Sequence, residues 1–305
     1  MSQTGELRSA MVVLPEGFRF TNPQEDTKQL PYSWDIDRAS MKLGTSPSTS
    51  VSTNREEPFK VLGVRVDAIQ IPGVVEQIEE WVRERGTTHF VAVTGMHGVT
   101  EALRDSRFKG ILNSADLVVP DGMPLVWVAR QHARTIKRRV YGPELMETFC
   151  ESTGGKYRHF FYGGAPGVPE HVAQVMRQRY GIQVAGAFSP PFRPLTEAED
   201  MEVSALIQDA APDILWVGLS TPKQERWMYA HKGSIPVPVM LGVGAAFDIC
   251  TGRLSQAPRW MRENGLEWLF RLLAEPRRLW RRYLVLGPSF AFNVCMELLG
   301  LKQFE

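Results

Sequence analysis

Ala115-Asp116-Leu117-Val118-Val119-Pro120-Asp121-Gly122-Met123-Pro124 joins a short β-branched run to a turn and then to a segment of helical periodicity. The run is apolar at successive positions, which is the mark of a strand covered on both faces, as in parallel sheets. The same pattern recurs along the chain. Further strands are predicted at Phe90-Val91-Ala92-Val93, His159-Phe160-Phe161-Tyr162, Ile182-Gln183-Val184-Ala185, Ile214-Leu215-Trp216-Val217 and Val237-Pro238-Val239-Met240-Leu241. Helical stretches fall between them, near 98–113, 123–133, 143–153, 167–180, 196–211 and 222–232. This alternation predicts an α/β fold of the Rossmann-like kind, a mostly parallel sheet with helices on both faces. Ligands of such sheets bind beyond the C-terminal strand ends. The polar or glycine-rich residues there, Thr94-Gly95, Pro120-Asp121-Gly122, Gly163-Gly164, Gly218-Leu219-Ser220 and Gly242-Val243-Gly244, therefore outline the expected cleft.

Composition narrows the function classes. Among 305 residues, 35 Lys and Arg balance 34 Asp and Glu, which excludes a globally basic nucleic-acid binder. Cys150, Cys250 and Cys295 stand far apart, in the spacing of neither a disulfide framework nor a zinc site, and a reducing cytoplasm is expected. The first twenty residues lack the basic start and apolar run of a secretory signal. Residues 1–57, rich in Ser, Thr, Pro and charge, are expected to form a disordered leader. Residues 58–250 form the expected α/β core, and 251–305 a helical appendage.

Each motif carries two readings. Asp121 follows a strand and precedes a helix, where it could be a general base or an N-cap accepting backbone N–H bonds. Gly163 and Gly164 end a strand before a helix. Bare N–H groups there suit a phosphate, and close strand packing explains the glycines equally well. The Gly-x-Gly-x-x-Gly dinucleotide fingerprint is incomplete, which disfavours a nicotinamide-dependent dehydrogenase. In Ser220-Thr221-Pro222-Lys223-Gln224, Thr221 is expected to cap the next helix, with Lys223 and Gln224 in its first turn beside the cleft. Asp35-Ile36-Asp37 has the acid-x-acid form of a metal-dependent nucleotide-sugar site but falls in the leader, so no metal and no cofactor are expected.

The C-terminus differs from the rest. Arg253, Arg259, Arg262, Arg271, Arg277, Arg278, Arg281 and Arg282 meet only Glu263, Glu267 and Glu275 within that stretch. Interleaved Trp260, Trp268, Trp280, Tyr283 and several Leu give the composition of a helix lying on anionic lipid. A solvent-facing helical subdomain is the plainer alternative, and RNA suits so many Trp and Leu poorly. The apolar run from Leu284 to Leu299 contains Pro288, Asn293 and Glu297, which disfavours a membrane span.

Taken in order, these segments resemble the WecG/TagA/CpsF glycosyltransferases, glycosyltransferase family 26, from about Val61 to Leu284. The resemblance rests on Val93-Thr94-Gly95-Met96-His97-Gly98-Val99, Pro120-Asp121-Gly122, Arg139-Val140-Tyr141-Gly142-Pro143-Glu144-Leu145, Pro222-Lys223-Gln224-Glu225, Gly242-Val243-Gly244-Ala245-Ala246-Phe247-Asp248 and Gly265-Leu266-Glu267-Trp268. It implies an inverting, metal-independent transfer of a sugar, often N-acetylmannosamine, from a UDP-sugar to a polyprenyl-diphosphate-linked acceptor. It assigns Asp121 as the base, and Thr94, Arg139 and Gln224 to the cleft. Arg271, Arg278 and Arg281 match arginines that complete the site at the membrane, while Gly163, Gly164 and Asp248 would hold the nucleotide. Many relatives carry Asn two positions after the threonine. Here Met96 stands in that place, and His97 is the substitute substrate contact or a plain helix-start residue. The expected setting is the inner face of the cell membrane, with an anionic lipid surface as partner, no nucleic acid, and a homo-oligomer conceivable. The rival from another class is a non-catalytic, membrane-associated protein that binds a nucleotide-sugar.

Overall fold

The computed structural model describes residues 56–304. The leader up to residue 55, with Asp35-Ile36-Asp37, lies outside the described residues. Glu56 and Glu57, expected to end that leader, instead open a strand.

In chain order the elements are β1 (Glu56–Val61), β2 (Val64–Ala68), α1 (Ile71–Glu84), β3 (His89–Thr94), α2 (Met96–Arg104), α3 (Ser106–Asn113), β4 (Leu117–Pro120), α4 (Met123–Gln131), α5 (Gly142–Thr153), β5 (Arg158–Gly163), α6 (Val168–Tyr180), β6 (Gln183–Phe188), α7 (Glu197–Ala210), β7 (Ile214–Gly218), α8 (Lys223–His231), β8 (Val239–Gly242) and α9 (Ala246–Cys250). There follow α10 (Arg259–Glu263), α11 (Glu267–Ala274), α12 (Pro276–Trp280), a π-helical stretch Arg281–Leu286, and α13 (Gly287–Leu298).

Strands β3 to β8 form one sheet in the order β4-β3-β8-β7-β5-β6. Every neighbouring pair is parallel. Side chains alternate between two cores. Phe90, Ala92, Val118, Phe160, Tyr162, Leu215, Val217 and Met240 face one layer, where α2, α3, α4, α7, α8 and α13 pack. Val91, Val93, Leu117, Val119, Phe161, Ile214, Trp216, Val239 and Leu241 face the other, beneath α1, α5, α6 and α9. Both faces are apolar, so the strands read as continuous runs. Each fully buried side chain of this size contributes about 1.5–3 kcal/mol.

Two details depart from expectation. The stretch near 98–113 is two helices, because the Asp105 carboxylate accepts the N–H of Phe108 at 3.0 Å and caps a new start. The antiparallel β1–β2 hairpin and α1 were not among the predicted elements. Its two-residue turn, Leu62-Gly63, has positive φ at both positions, the turn geometry that suits a twisted hairpin. The C-terminal α13 packs on the sheet, as Phe290 and Val294 enter the first core layer and Glu297 accepts the Leu62 N–H at 3.0 Å.

Candidate active site

The C-terminal ends of β3 and β4 meet in a tight corner. Asp121 N–H donates to the Thr94 carbonyl at 2.8 Å, continuing the β3–β4 pairing past the last strand residue. A side chain on Gly95 would collide with the Asp121 carbonyl, so that position must be glycine. Gly122 follows with φ +126°, turning the chain into α4. Gly122 is the N-cap of that helix and no side chain caps it, so the Asp121 carboxylate is not spent as a cap. Of the two readings of Asp121, the capping one falls away.

The segment before α5 brings the first cation. Val140 N–H donates to the Pro120 carbonyl at 2.8 Å, which lays Arg139 and Tyr141 along the β4 end. The Arg139 guanidinium sits 4.1 Å from the Tyr141 ring centroid and is paired with Glu267, both partners being largely buried. Glu267 begins α11, so this ion pair fastens the C-terminal helices to the sheet's mouth. Arg271 lies one turn further along the same helix, and the chain then returns Arg282 on the π-helical stretch.

Electrostatics show that these groups share one space. Burial pushes the Asp121 carboxyl up to about 6, opposed by Arg139, Arg271 and Arg282 and reinforced by Glu267. Burial lowers the pKa of Arg282, and Arg271 and Arg278 add like-charge repulsion. Three guanidinium groups thus face two carboxylates, an excess of positive charge beside a base that titrates near neutrality. Buried polar atoms there, Thr94 Oγ1 and Arg282 Nε among them, have no hydrogen-bond partner. Unmet donors in a polar cleft are where a ligand is expected.

The remaining residues expected in the site fall in different places. His97 is in the first turn of α2. Burial and the charges of Arg282 and Arg104 bring its pKa down to about 4, so it is neutral at pH 7. Gln224 is buried and occupied at both ends, donating to Glu225 at 3.0 Å and accepting the Gly244 N–H at 3.0 Å. It holds the loop after β8 from beneath. Thr221 does not cap α8; its hydroxyl donates to Glu225 at 2.7 Å, because that buried carboxylate needs a partner more than the helix start does. Arg278 is exposed and paired with Glu275. Arg281 is exposed, its guanidinium 5.9 Å from the Trp280 ring.

In α9, Asp248 forms an ion pair with Arg253, Oδ1 to Nε 3.4 Å. A Cβ on Gly163 would come within 2.6 Å of the Gly218 backbone, and one on Gly164 within 3.1 Å of Val168, so packing alone requires small residues in that turn. Two members of the Asp121 cluster, Glu267 and Arg282, were not singled out as site residues from sequence. Their signal was weak: each is one charge among many in a charged stretch, and only the docked helices distinguish them. Among the described residues no three His, Cys, Asp or Glu side chains come together as a metal site.

The profile of the glycosyl transferase WecG/TagA/CpsF family matches residues 59–304, from β1 through the C-terminal helices. An N-acetylglucosaminyldiphosphoundecaprenol N-acetyl-beta-D-mannosaminyltransferase of Bacillus spizizenii is 30% identical over 217 residues, which cover 70% of this chain and 82% of that protein. The protein of the same name from Staphylococcus aureus is 27% identical over 244 residues, covering 80% of this chain and 94% of the relative. The chain belongs to the WecG/TagA/CpsF family and is a glycosyltransferase.

Proposed function

We propose that this chain transfers N-acetylmannosamine, or a related hexose or uronic acid, from a UDP-sugar to a sugar carried on polyprenyl diphosphate, with inversion, in building a bacterial cell-surface polysaccharide. The observation that carries this reading is Asp121, an uncapped carboxylate with its pKa pushed up to about 6, facing three arginines at the strand ends. Asp121 takes the proton of the acceptor hydroxyl, and the freed oxygen attacks the anomeric carbon opposite the diphosphate. The anomeric C–O bond breaks, and its electron pair leaves with UDP. Arg139, Arg271 and Arg282 supply the positive charge that the departing diphosphate needs. Thr94, with its unpaired buried hydroxyl, is placed to meet a sugar or phosphate oxygen. The test is incubation of the purified chain with UDP-N-acetylmannosamine and a short-chain polyprenyl-diphosphate N-acetylglucosamine. Formation of the lipid-linked disaccharide with release of UDP is expected. Binding of the donor without turnover by any UDP-sugar would favour the non-catalytic rival.

The site also predicts a pH profile. The base is lost as pH falls through the Asp121 pKa, so the rate should decline below about pH 6. His97, with its pKa down near 4, does not account for a limb there. Glu267 raises the Asp121 pKa, so Glu267→Gln should move the limb to lower pH, the more so as Arg139 is then free to turn to Asp121. A limb that stays in place, or moves up, would remove Glu267 from the site's electrostatics.

Attachment to the inner face of the membrane is part of the same proposal. Trp260 is 60% exposed and Leu273 73%, with Trp268, Trp280 and Leu284 also bare beside the arginines, a surface suited to an anionic lipid interface. No described helix is long and apolar enough to cross a membrane. Leu273→Glu with Leu284→Glu should lower flotation with anionic vesicles while leaving the core intact. Unchanged flotation would count against this face.

A further inference from the structure

Two buried donors beside Asp121 take no part in the chemistry described so far. Tyr141 is only 4% exposed, and its hydroxyl has no hydrogen-bond partner. The Gln256 amide nitrogen, brought in by the loop between α9 and α10, is buried without one as well. The two groups are neighbours, since the Gln256 amide acts on the phenol, yet no hydrogen bond joins them. Burial pushes the Tyr141 phenol far above its ordinary range, with Glu267 and Asp121 reinforcing and Gln256 and Arg139 opposing. The hydroxyl therefore keeps its proton and stays a donor.

Both side chains sit on fixed backbone. The Tyr141 ring lies under the Arg139 guanidinium at 4.1 Å, and its carbonyl accepts the Leu145 N–H at 2.8 Å where α5 begins. A Cβ on Gly142 would come within 2.9 Å of the Val243 carbonyl, so the chain beside the tyrosine is packed against the loop after β8. Ala257, next to Gln256, is buried, and the Leu254 N–H donates to the Asp248 carbonyl at 3.0 Å. Rigid donors left unmet cost stability that a ligand recovers. The three guanidinium groups already suit the diphosphate, whereas Tyr141 and Gln256 carry no charge. Asp121 and Glu267 act on this place too, and they would repel another anion. A neutral acceptor fits. A carbonyl oxygen has two lone pairs and no proton of its own, so it satisfies both donors, while a sugar hydroxyl would bring a proton that needs a further acceptor. We infer that Tyr141 Oη and Gln256 Nε2 together bind the acetamido carbonyl oxygen of an N-acetylated substrate sugar, and so select it over the sugar with a hydroxyl in that place. That group belongs to the acceptor sugar or to the donor sugar, which meet at Asp121. The inference deepens the proposed transfer and rests on it.

The test is kcat/KM of the full chain with UDP-N-acetylmannosamine or UDP-mannose as donor, each combined with polyprenyl-diphosphate N-acetylglucosamine or glucose as acceptor. Wild type should prefer the N-acetylated form of one partner by about tenfold or more. Tyr141→Phe removes a single hydroxyl, and Gln256→Met keeps the length of the side chain without its donors. Each should cut that preference about tenfold, through loss on the N-acetylated substrate. The partner whose preference falls, donor or acceptor, is the source of the acetamido group. Melting curves establish that the variants are folded, and if one is not, the other decides. Equal loss on every substrate combination would mean that the side chains only shape the site, and would overturn the subsite. An unchanged preference in the variants, or a wild type that does not discriminate, overturns it as well. Those results leave sugar transfer standing. A wild type that transfers nothing in any combination removes the proposed function and the subsite with it.

Discussion

Asp121→Asn should lower the transfer rate about 10²–10⁴-fold, the usual contribution of a positioned base, equivalent to roughly 3–5 kcal/mol of transition-state stabilisation. The amide has the size of the carboxylate and keeps the backbone turn, including the 2.8 Å bond from Asp121 N–H to Thr94. It cannot accept the acceptor's proton. Donor KM should change little, because the base acts on the acceptor oxygen and not on the nucleotide. Stability should hold or rise. A carboxyl whose folded pKa lies near 6 is ionised at pH 7–8 against the preference of its surroundings, so its charge costs stability there. That cost fades as pH falls below about 4, where the wild-type group is neutral too. Melting of wild type and variant at the two pH values, beside the transfer assay, separates a missing base from a damaged fold. Full activity in the variant would sink the assignment.

Arg282→Ala should lower kcat/KM about 10²–10³-fold, the scale of losing one donor to a developing charge in a preorganised site. Arg281→Ala should stay within about threefold. The two neighbours differ in the structure: Arg282 is within electrostatic reach of Asp121, Arg271 and His97, whereas Arg281 is exposed over Trp280. Arg282 Nε is buried without a partner, so the side chain is held for something the chain itself does not supply. A second readout guards against a merely structural effect. Arg282 pulls the Asp121 pKa down, so its loss should carry the acid limb of the rate to higher pH. An equal loss in Arg281→Ala, or a limb that does not move, would return the role to the arginine assigned by resemblance.

Much of the architecture was legible because both faces of the sheet are buried. Val91, Val93, Leu117 and Trp216 face one core while Phe90, Ala92, Val118 and Leu215 face the other, so each strand declares itself by continuous apolarity. The β1–β2 hairpin did not, since Glu56, Glu57, Lys60, Arg65 and Asp67 interrupt the apolar positions of its strands and its turn places Leu62 at φ 52°, a residue that carries no turn signal. The residues around position 121 could be read as a strand end with a carboxylate, base or cap alike, and only the family resemblance named it the base. The structure removes the capping role, since Gly122 takes the N-cap place, and brings three arginines to the carboxylate from elsewhere. Gln224 shows the opposite case. Its spacing suggested a cleft-facing side chain, and the glycine at 242 leaves room for it to turn beneath the β8 loop.

Local sequence therefore dictates which segments are strands, where they end, and that Asp121 and Thr94 lie at those ends, because apolar periodicity and glycine requirements are properties of neighbouring residues. Which cations serve Asp121 is a different kind of fact. It depends on the break between α11 and α12 at Glu275, on the π-helical stretch that sets the direction of Arg281 and Arg282, and on the Glu267–Arg139 pair that seats these helices on the sheet. Contacts between residues more than a hundred positions apart carry no local signature. The carboxylate proposed as the base is thus written in the strand–turn motif, while the charge that surrounds it is assembled by packing.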